Sequence, residues 1–448
     1  MKNTLSIVKK HGAEFTNMFV TTPLCCPSRA SILTGKYAHN HEVRNNSVSG
    51  NCNSLNWQHE HEDKTFINHF KKRGYSTFYA GKYLNQYGKK ETGGVKHIPS
   101  GWNKWVGLVG NSCYYNYSLS VNGKEVKHGS DPQNDYLTNI IMKYSLNFLT
   151  QQNDTTPFFM FLSPPAPHGP FLPFPKYKNK YYNISAPRTP NFGVGGERRK
   201  HWLVRQTPKS LSKSVIETID DVFRNRWRTL LSVDNMVKGI YLELKKKGLL
   251  RNTYIFFTSD NGFHLGQFSL PWDKRQLYEF DVRVPLLVRG PGIKKDIEIK
   301  HPVLNIDLAP TFLELADIPI PKDFDGESFA SYFKYSNKML KNRTFIIEHQ
   351  GESTDASIPG CPQYKAGEVH TCEIDCICED SWNNTYLCVR QLSEKENLIS
   401  CIFNDREEFG ETYNITQDPF QMKNIFPFFL KSSEFGIDHL KQLLNKIR

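Results

Sequence analysis

The segment TTPLCCPSRASILTGKY, residues 21–37, places two adjacent cysteines ahead of a proline, a serine, an arginine and an apolar run with helical spacing. Pro27 suits the first turn of a helix, because an N–H there would lack a partner and proline's φ is already helical. Cys25 then lies just before a helix N-terminus, where unpaired N–H groups and the positive end of the helix dipole converge. Such a position lowers a thiol pKa and attracts anions. Arg29 follows four residues later, about one turn on, and can hold the same group in place. This spacing allows a nucleophile in an anion-binding cradle. It also allows two structural, disulfide-forming cysteines in front of a helix, and spacing alone leaves both open.

The elements that would position such a site are legible around it. YSTFYAGKY (75–83), TPFFMFLSPPAPH (156–168), TYIFFTSDNG (253–262) and RVPLLVRGPG (283–292) are apolar runs, rich in β-branched or aromatic residues, that meet Gly, Pro, Asp or Asn. They read as buried parallel strands ending in loops. Between them lie helical patterns such as residues 224–250, with basic residues in the last turn before Gly248. Alternating strands and helices predict an α/β fold, a large, mostly parallel sheet between helices. Ligands of such folds sit outside the carboxyl ends of the strands, so the polar residues just past these runs are the first candidates for chemistry.

With 448 residues the chain is long enough for one large domain with an appendage. The character changes near residue 345, which predicts a catalytic domain over 1–345 and a smaller, cysteine-rich C-terminal subdomain over 346–448. Six cysteines (Cys361, Cys372, Cys376, Cys378, Cys388, Cys401) fall within it. Their spacing does not suit a zinc ribbon and fits a disulfide-stapled segment. Residues 352–372 read as a long loop, and 436–448 as a short amphipathic helix. Cys113 and a pairing of Cys26 with Cys52 stay open. Sequons at Asn45, Asn116, Asn153, Asn183, Asn342, Asn383 and Asn414, beside the cysteine cluster, suggest a glycosylated, oxidised protein. No run of 18 apolar residues occurs, so no membrane span is expected. The net charge of +12 favours an anionic partner. Without a zinc-finger spacing, an RNP motif or a basic zipper, that partner is not expected to be nucleic acid.

C-x-P-S-R followed by ASILTGKY resembles the signature of the sulfatase family, and the resemblance runs through nearly the whole chain. In that family the first cysteine of the motif is oxidised in the endoplasmic reticulum, by a formylglycine-generating enzyme, to formylglycine. The hydrated aldehyde attacks sulfur. Cys25 matches that position, and Arg29 the arginine that supports it. AGKY places Lys82 on a sulfate-binding lysine, PAPHGP places His168 on the active-site histidine, and DKRQ places Lys274 on the second sulfate-binding lysine. TSDNG places Asp260 and Asn261 on two calcium ligands, with the side chain at Cys25 completing the metal set. Segments 25–46, 82–88, 259–281 and 376–386 resemble the branch that removes 6-O-sulfate from terminal N-acetylglucosamine residues of heparan and keratan sulfate in the lysosome. The resemblance therefore implies an alkaline-phosphatase/sulfatase-like fold, one Ca2+, and a sulfated glycosaminoglycan substrate. His39, His41 and His264 are candidates to line the sugar pocket.

The chemistry agrees with the resemblance. A sulfate ester needs its charge held while the S–O bond to the sugar breaks, and two lysines with a cation supply fixed positive charge. A formylglycine diol has a second hydroxyl that can expel sulfate, which a serine or cysteine lacks. One departure matters. Sulfatases begin with an apolar strand ending in two adjacent aspartates, and no such strand stands ahead of MKNTLSIVKKHGAEF, which also lacks the apolar core of a signal peptide. The only adjacent aspartates, Asp220 and Asp221, lie inside a helical segment. The sequence is therefore expected to be an N-terminally incomplete sulfatase product, with exposed edges on the strands flanking the gap. Two other readings follow: a catalytically inactive product that binds sulfated glycans without hydrolysing them, and a phosphoesterase of the same superfold.

Overall fold

The computed structural model describes residues 1–333, 342–352, 379, 381–405 and 407–426. Cys361, Cys372, Cys376 and Cys378, the loop beyond residue 352 and the expected C-terminal helix lie outside the described residues.

The chain runs through β1 (Ala13–Phe19) and directly into α1 (Cys25–Thr34). Next come β2 (Ser76–Gly81), β3 (Lys104–Leu108), β4 (Tyr117–Val121) and β5 (Lys124–His128). Helix α2 (Leu137–Thr150) leads to β6 (Phe158–Ser163), and the long α3 (Lys213–Lys246) leads to β7 (Ile255–Thr258). A short hairpin, β8 (His264–Leu265) and β9 (Trp272–Asp273), precedes β10 (Arg283–Arg289), β11 (Ile297–Ile299), β12 (Val303–Leu304) and α4 (Leu308–Leu315). The chain ends in an antiparallel sheet of β13 (Arg343–His349), β14 (Tyr386–Leu392), β15 (Asn397–Phe403) and β16 (Gly410–Asn414).

Local rules account for the helix ends. Ser212 caps α3 by accepting from the Val215 N–H. Gly248, at φ 71°, turns the chain out of it in the left-handed conformation that glycine tolerates. The expected strands all form, but not all are parallel. β2 lies between parallel β3 and β6, while β10 runs antiparallel to both β1 and β7. The reason is the connection. Residues 259–282 contain no crossover helix and fold back at the end of β7, with the Gly262 N–H bonded to the Asp281 carbonyl. The chain re-enters the sheet from the end it left.

The strands form two sheets rather than one. One has the order β11-β1-β10-β7 with β12 beside β1, and the other β5-β4-β3-β2-β6. Among the described residues β6 pairs only with β2, and β7 only with β10, so each has a free edge. The two edges share neighbours. Phe312 of α4 packs on Phe159 of β6 and Phe256 of β7 at 5.5 and 5.0 Å. On the opposite side Phe158, Met160, Leu162, Ile255 and Phe257 pack on one cluster with α2 and α3. β6 and β7 are thus edge strands whose faces are covered from both sides by packed side chains.

The C-terminal sheet shares a core with the first. Phe345, Ile347, Tyr386 and Tyr413 are buried in one cluster with Phe15, Phe19 and Val284. Its first strand begins at Arg343, just ahead of the residue-345 change in composition. Cys388 and Cys401 face each other across β14 and β15 and are disulfide-bonded.

Candidate active site

The turn from β1 into α1 presents Cys25 as the first residue of the helix, with Leu24 as an extended N-cap. One orphan donor there, the Cys26 N–H, bonds to Asn46 Oδ1 at 3.0 Å. Cys26 is disulfide-bonded to Cys52, so the two neighbouring cysteines have different fates. Cys25 is a free, buried thiol. Buried Asn305 locks the turn by accepting from the Thr21 N–H at 3.0 Å and donating to Ser28 Oγ at 2.9 Å.

The strand ends deliver the cations. Gly81 closes β2 at φ 115°, and a Cβ there would fall 2.1 Å from the Ser163 carbonyl oxygen. Only glycine allows that approach, and the Lys82 N–H can then donate to the same carbonyl at 2.9 Å. Lys82 is thereby fixed and buried past the end of β2. Lys274 follows β9 and donates to Asp273 Oδ1 at 3.2 Å. Arg275 beside it sits at φ 93°, an unfavourable conformation for a side-chain-bearing residue. It is held by Asp273 and by Glu352, the latter at 2.6 and 2.8 Å. Arg29 Nε donates to Asp260 Oδ2 at 2.8 Å and its Nη1 to the Lys82 carbonyl at 2.8 Å, tying α1, β7 and β2 into one site.

These groups converge on Cys25. Burial alone would push its thiol up, but Lys82 and Lys274 beside it, with a hydrogen bond from His168, hold it down at about 5. Burial likewise works against the Asp260 carboxylate, and Arg29, Lys82 and Lys274 outweigh it to hold its pKa low. Burial lowers Lys82, while for Lys274 the Asp273 carboxylate and Cys25 overcome burial and raise it. The site therefore stabilises negative charge at the tip of the residue-25 side chain. The expected set Cys25, Arg29, Lys82, His168, Asp260 and Lys274 is assembled in one place. His168 Nδ1 lies 2.9 Å from the Gly169 carbonyl, which accepts its proton and leaves Nε2 for the site.

Asn261 Oδ1 is buried without a partner, while its amide donates to the Gly262 carbonyl at 2.7 Å. An orphaned acceptor beside a half-buried carboxylate is suitable for a cation that takes oxygen ligands. The number of donors is short, however. Asp220 and Asp221 are engaged elsewhere, by Arg188 and Arg224. Asp260 and Asn261 are two oxygen ligands where calcium takes about six to eight. Among the described residues the donor set is right in kind and incomplete in number.

Two expected pocket histidines are elsewhere. His41 is fully buried, bonded to Ser31 Oγ at 2.9 Å and edge-on to Trp57. Burial pushes its pKa down to about 3, so it is a neutral core residue. His264 is also fully buried, 3.1 Å from Asp281 and 2.9 Å from Glu379. Both acids raise it, against burial, to about 10. His264, Asp281 and Glu379 have the residue types of a metal centre. The imidazole already carries a proton toward each carboxyl, and burial pushes the Glu379 carboxyl up to about 7, so an ion would have to displace protons there. His39 is partly exposed and pairs with Glu348 at 2.9 Å. Of the sequons, Asn45 and Asn383 are buried, at 7% and 5% exposure. Asn116, Asn153, Asn183 and Asn342 are exposed, and Asn414 is half-buried.

Sequence reasoning missed Asp273, Arg275, Glu352, Asn46 and Asn305. The acid–base–base run at 273–275 was the one available signal. The others come from distant segments with no motif of their own.

A family model described as Sulfatase matches residues 2–318. N-acetylglucosamine-6-sulfatase of Capra hircus is 49% identical over 427 residues, covering 95% of this chain and 76% of its own length. The Homo sapiens protein of the same name is 48% identical over 427 residues, covering 95% and 77%. A protein solved in complex with its substrate D-glucosamine-2-N,6-O-disulfate superposes with a TM-score of 0.74 at 23% identity, covering 99% of this chain and 92% of that one. A phosphonate monoester hydrolase from Silicibacter pomeroyi shares the fold at a TM-score of 0.69 and 17% identity, covering 98% and 88%. The chain belongs to the sulfatase family and is an enzyme of the sulfatase type. The family implies formylglycine and typically a divalent metal.

Proposed function

We propose that this protein hydrolyses the 6-O-sulfate of terminal N-acetylglucosamine residues in heparan and keratan sulfate, with residue 25 as formylglycine. The observation that carries this reading is the buried Cys25 side chain facing Lys82, Lys274 and His168. The relatives named above support the sugar and the position of the ester. When Cys25 is oxidised, the hydrated aldehyde supplies the oxygen nucleophile for sulfur. The chain's own residues do the rest. Lys82 and Lys274 hold the sulfate oxygens and offset the charge that builds on them. Arg29, fixed by Asp260 and the Lys82 carbonyl, keeps the residue-25 side chain aimed. His168, with Nδ1 held by Gly169, presents Nε2 and protonates the sugar oxygen as it leaves. Asp260 and Asn261 would take up calcium as two of its ligands, and no step is assigned to the ion. The lysosome is the compartment this substrate implies, after maturation in the endoplasmic reticulum by a formylglycine-generating enzyme.

The test is release of inorganic sulfate from N-acetylglucosamine-6-sulfate. Turnover that Lys82→Ala lowers by about 10² to 10³ supports the reading. Equal turnover in the variant contradicts it. Phosphate-ester hydrolysis that exceeds sulfate release would point to the phosphoesterase instead.

A second reading, binding without turnover, is motivated by the two oxygen ligands, Asp260 and Asn261, that the described residues offer calcium. Its consequence can be measured. Calcium at about 1 mM is expected to stabilise this chain by less than about 1 kcal/mol in thermal unfolding, because two oxygens bind it weakly. Stabilisation of about 4 kcal/mol, as for a site a thousandfold saturated, would show a complete ligand set.

A further inference from the structure

We propose that α3 and the loop 171–184 form an extended binding surface for a sulfated polysaccharide, continuing outward from the Cys25 site. This rests on the substrate class inferred above. The innermost element is Arg226. Its guanidinium lies 3.7 Å over the Phe263 ring and 5.9 Å from Phe171, and Nη1 donates to the Pro167 carbonyl at 2.9 Å. Pro167 adjoins His168, and Phe263 lies two residues past Asn261. Arg226 therefore stands where the two active-site loops meet. Among the described residues no carboxylate pairs with it. An arginine with four remaining N–H groups and no acid is a ready receptor for a planar or tetrahedral anion.

Outward from Arg226 the surface is aromatic and basic. Phe223 packs on Trp227 at 5.3 Å, and Trp227 meets Tyr181 edge-on at 5.4 Å. Trp227 is 43% exposed and Tyr182 78%, unusual for rings of this size. Arg228 Nε donates to the Lys180 carbonyl at 2.7 Å, which binds the loop to the helix and leaves Nη2 of that guanidinium outward. Lys178 and Lys180 are exposed. Residues 171–184 and 222–233 hold three lysines and three arginines, of which Arg224 is paired with Asp221 on the preceding turn, which leaves Lys176, Lys178, Lys180, Arg226 and Arg228 without a carboxylate partner among the described residues. A cationic field of this kind attracts a polyanion, and exposed rings offer flat apolar faces. A sulfated polysaccharide presents both features in alternation, C–H faces of the sugar rings and sulfate or carboxylate groups at their edges. The loops at 168 and 261 border the Cys25 site, and this surface adjoins both.

The test uses a heparin hexasaccharide as probe, titrated against the full chain and against a Trp227→Ala, Lys178→Ser, Lys180→Ser variant. The variant is expected to bind about tenfold or more weakly, with a smaller dependence of Kd on salt. Tyr182→Ala alone, at a position too exposed to affect folding, is expected to weaken binding in the same direction. Unchanged Kd in both variants overturns the proposal, as does binding of single-stranded DNA at equal affinity. The outcome is separable from the hydrolytic reading. Sulfate release from the monosaccharide, together with hexasaccharide binding that none of these variants weakens, removes the surface alone. Variant-sensitive binding with no sulfate release from any 6-sulfated sugar leaves the surface and removes the hydrolysis.

Discussion

Cys25→Ser is expected to abolish measurable sulfate release, a fall of about 10⁴-fold or more in kcat/KM, with little change in stability. The physical case begins with where the side chain sits. Lys82, Lys274 and His168 all act on the Cys25 side chain, and a serine hydroxyl there would meet the same charges. What the variant lacks is a second oxygen on the same carbon. A hydroxyl that took the sulfate would hold it as a stable ester, with no neighbouring O–H whose deprotonation expels it. The same substitution isolates chemistry from binding, because the lysines and Arg29 stay in place. Sulfated sugar is therefore expected to bind the variant with a Kd within about threefold of the parent protein's, as measured by calorimetry. A variant that turns over at more than about a hundredth of the parent rate would show that residue 25 is not the nucleophile.

The largest stability effect is expected at His264→Ala. The side chain is fully buried, and its removal leaves Asp281 and Glu379 as unpaired buried carboxylates. Breaking a buried ionic cluster from one side costs about 3–5 kcal/mol. The loss would propagate into the site. Asp281 Oδ2 accepts from the Gln276 N–H at 2.9 Å, the Gln276 amide donates to Glu379 at 2.7 Å, and Lys274 lies two residues earlier. The cluster also sets a pH dependence. Asp281 and Glu379 raise the folded-state pKa of His264 to about 10, above its unfolded value near 6.5. The folded protein thus binds an extra proton between those values. The stabilisation is complete below about pH 6.5 and is lost as pH rises toward 10. Thermal unfolding from pH 6 to 9 is expected to show stability falling in the parent protein and a shallower slope in His264→Gln. A steeper slope in the variant would contradict the assignment.

The contrast between the two cysteines left free among the described residues gives a further check. Cys113 has no cation beside it, and burial pushes its thiol up to about 11, whereas Cys25 is held at about 5. In unoxidised protein, alkylation by iodoacetamide is expected to be pH-independent at position 25 between about pH 6 and 8 and to rise with pH at position 113. Parallel profiles would mean that the lysines do not act on Cys25.

Much of this site was legible because its residues sit at strand and helix ends, where periodicity breaks and composition announces a turn. Lys82 after β2, His168 after β6 and Asp260 after β7 each follow an apolar run, and Cys25 precedes a proline that belongs to a first helical turn. The antiparallel direction of β10 was not legible. RVPLLVR is equally apolar in either direction, and only the lack of a helix long enough for a crossover between 259 and 282 could have given it away. Nor was the burial of His41 and His264. A histidine in a polar-looking stretch reads as a pocket residue until the partners, Ser31 for one and Asp281 with Glu379 for the other, arrive from separate segments. The supporting ring of Asn46, Asn305 and Glu352 was silent for the same reason, since long-range hydrogen bonds leave no periodic trace.

The most direct test of the central claim is mass spectrometry of the tryptic segment 11–29 from protein purified from its natural source. The account predicts an aldehyde in place of the thiol at position 25, with Cys26 still paired to Cys52. An unmodified thiol at position 25 in that material would contradict it.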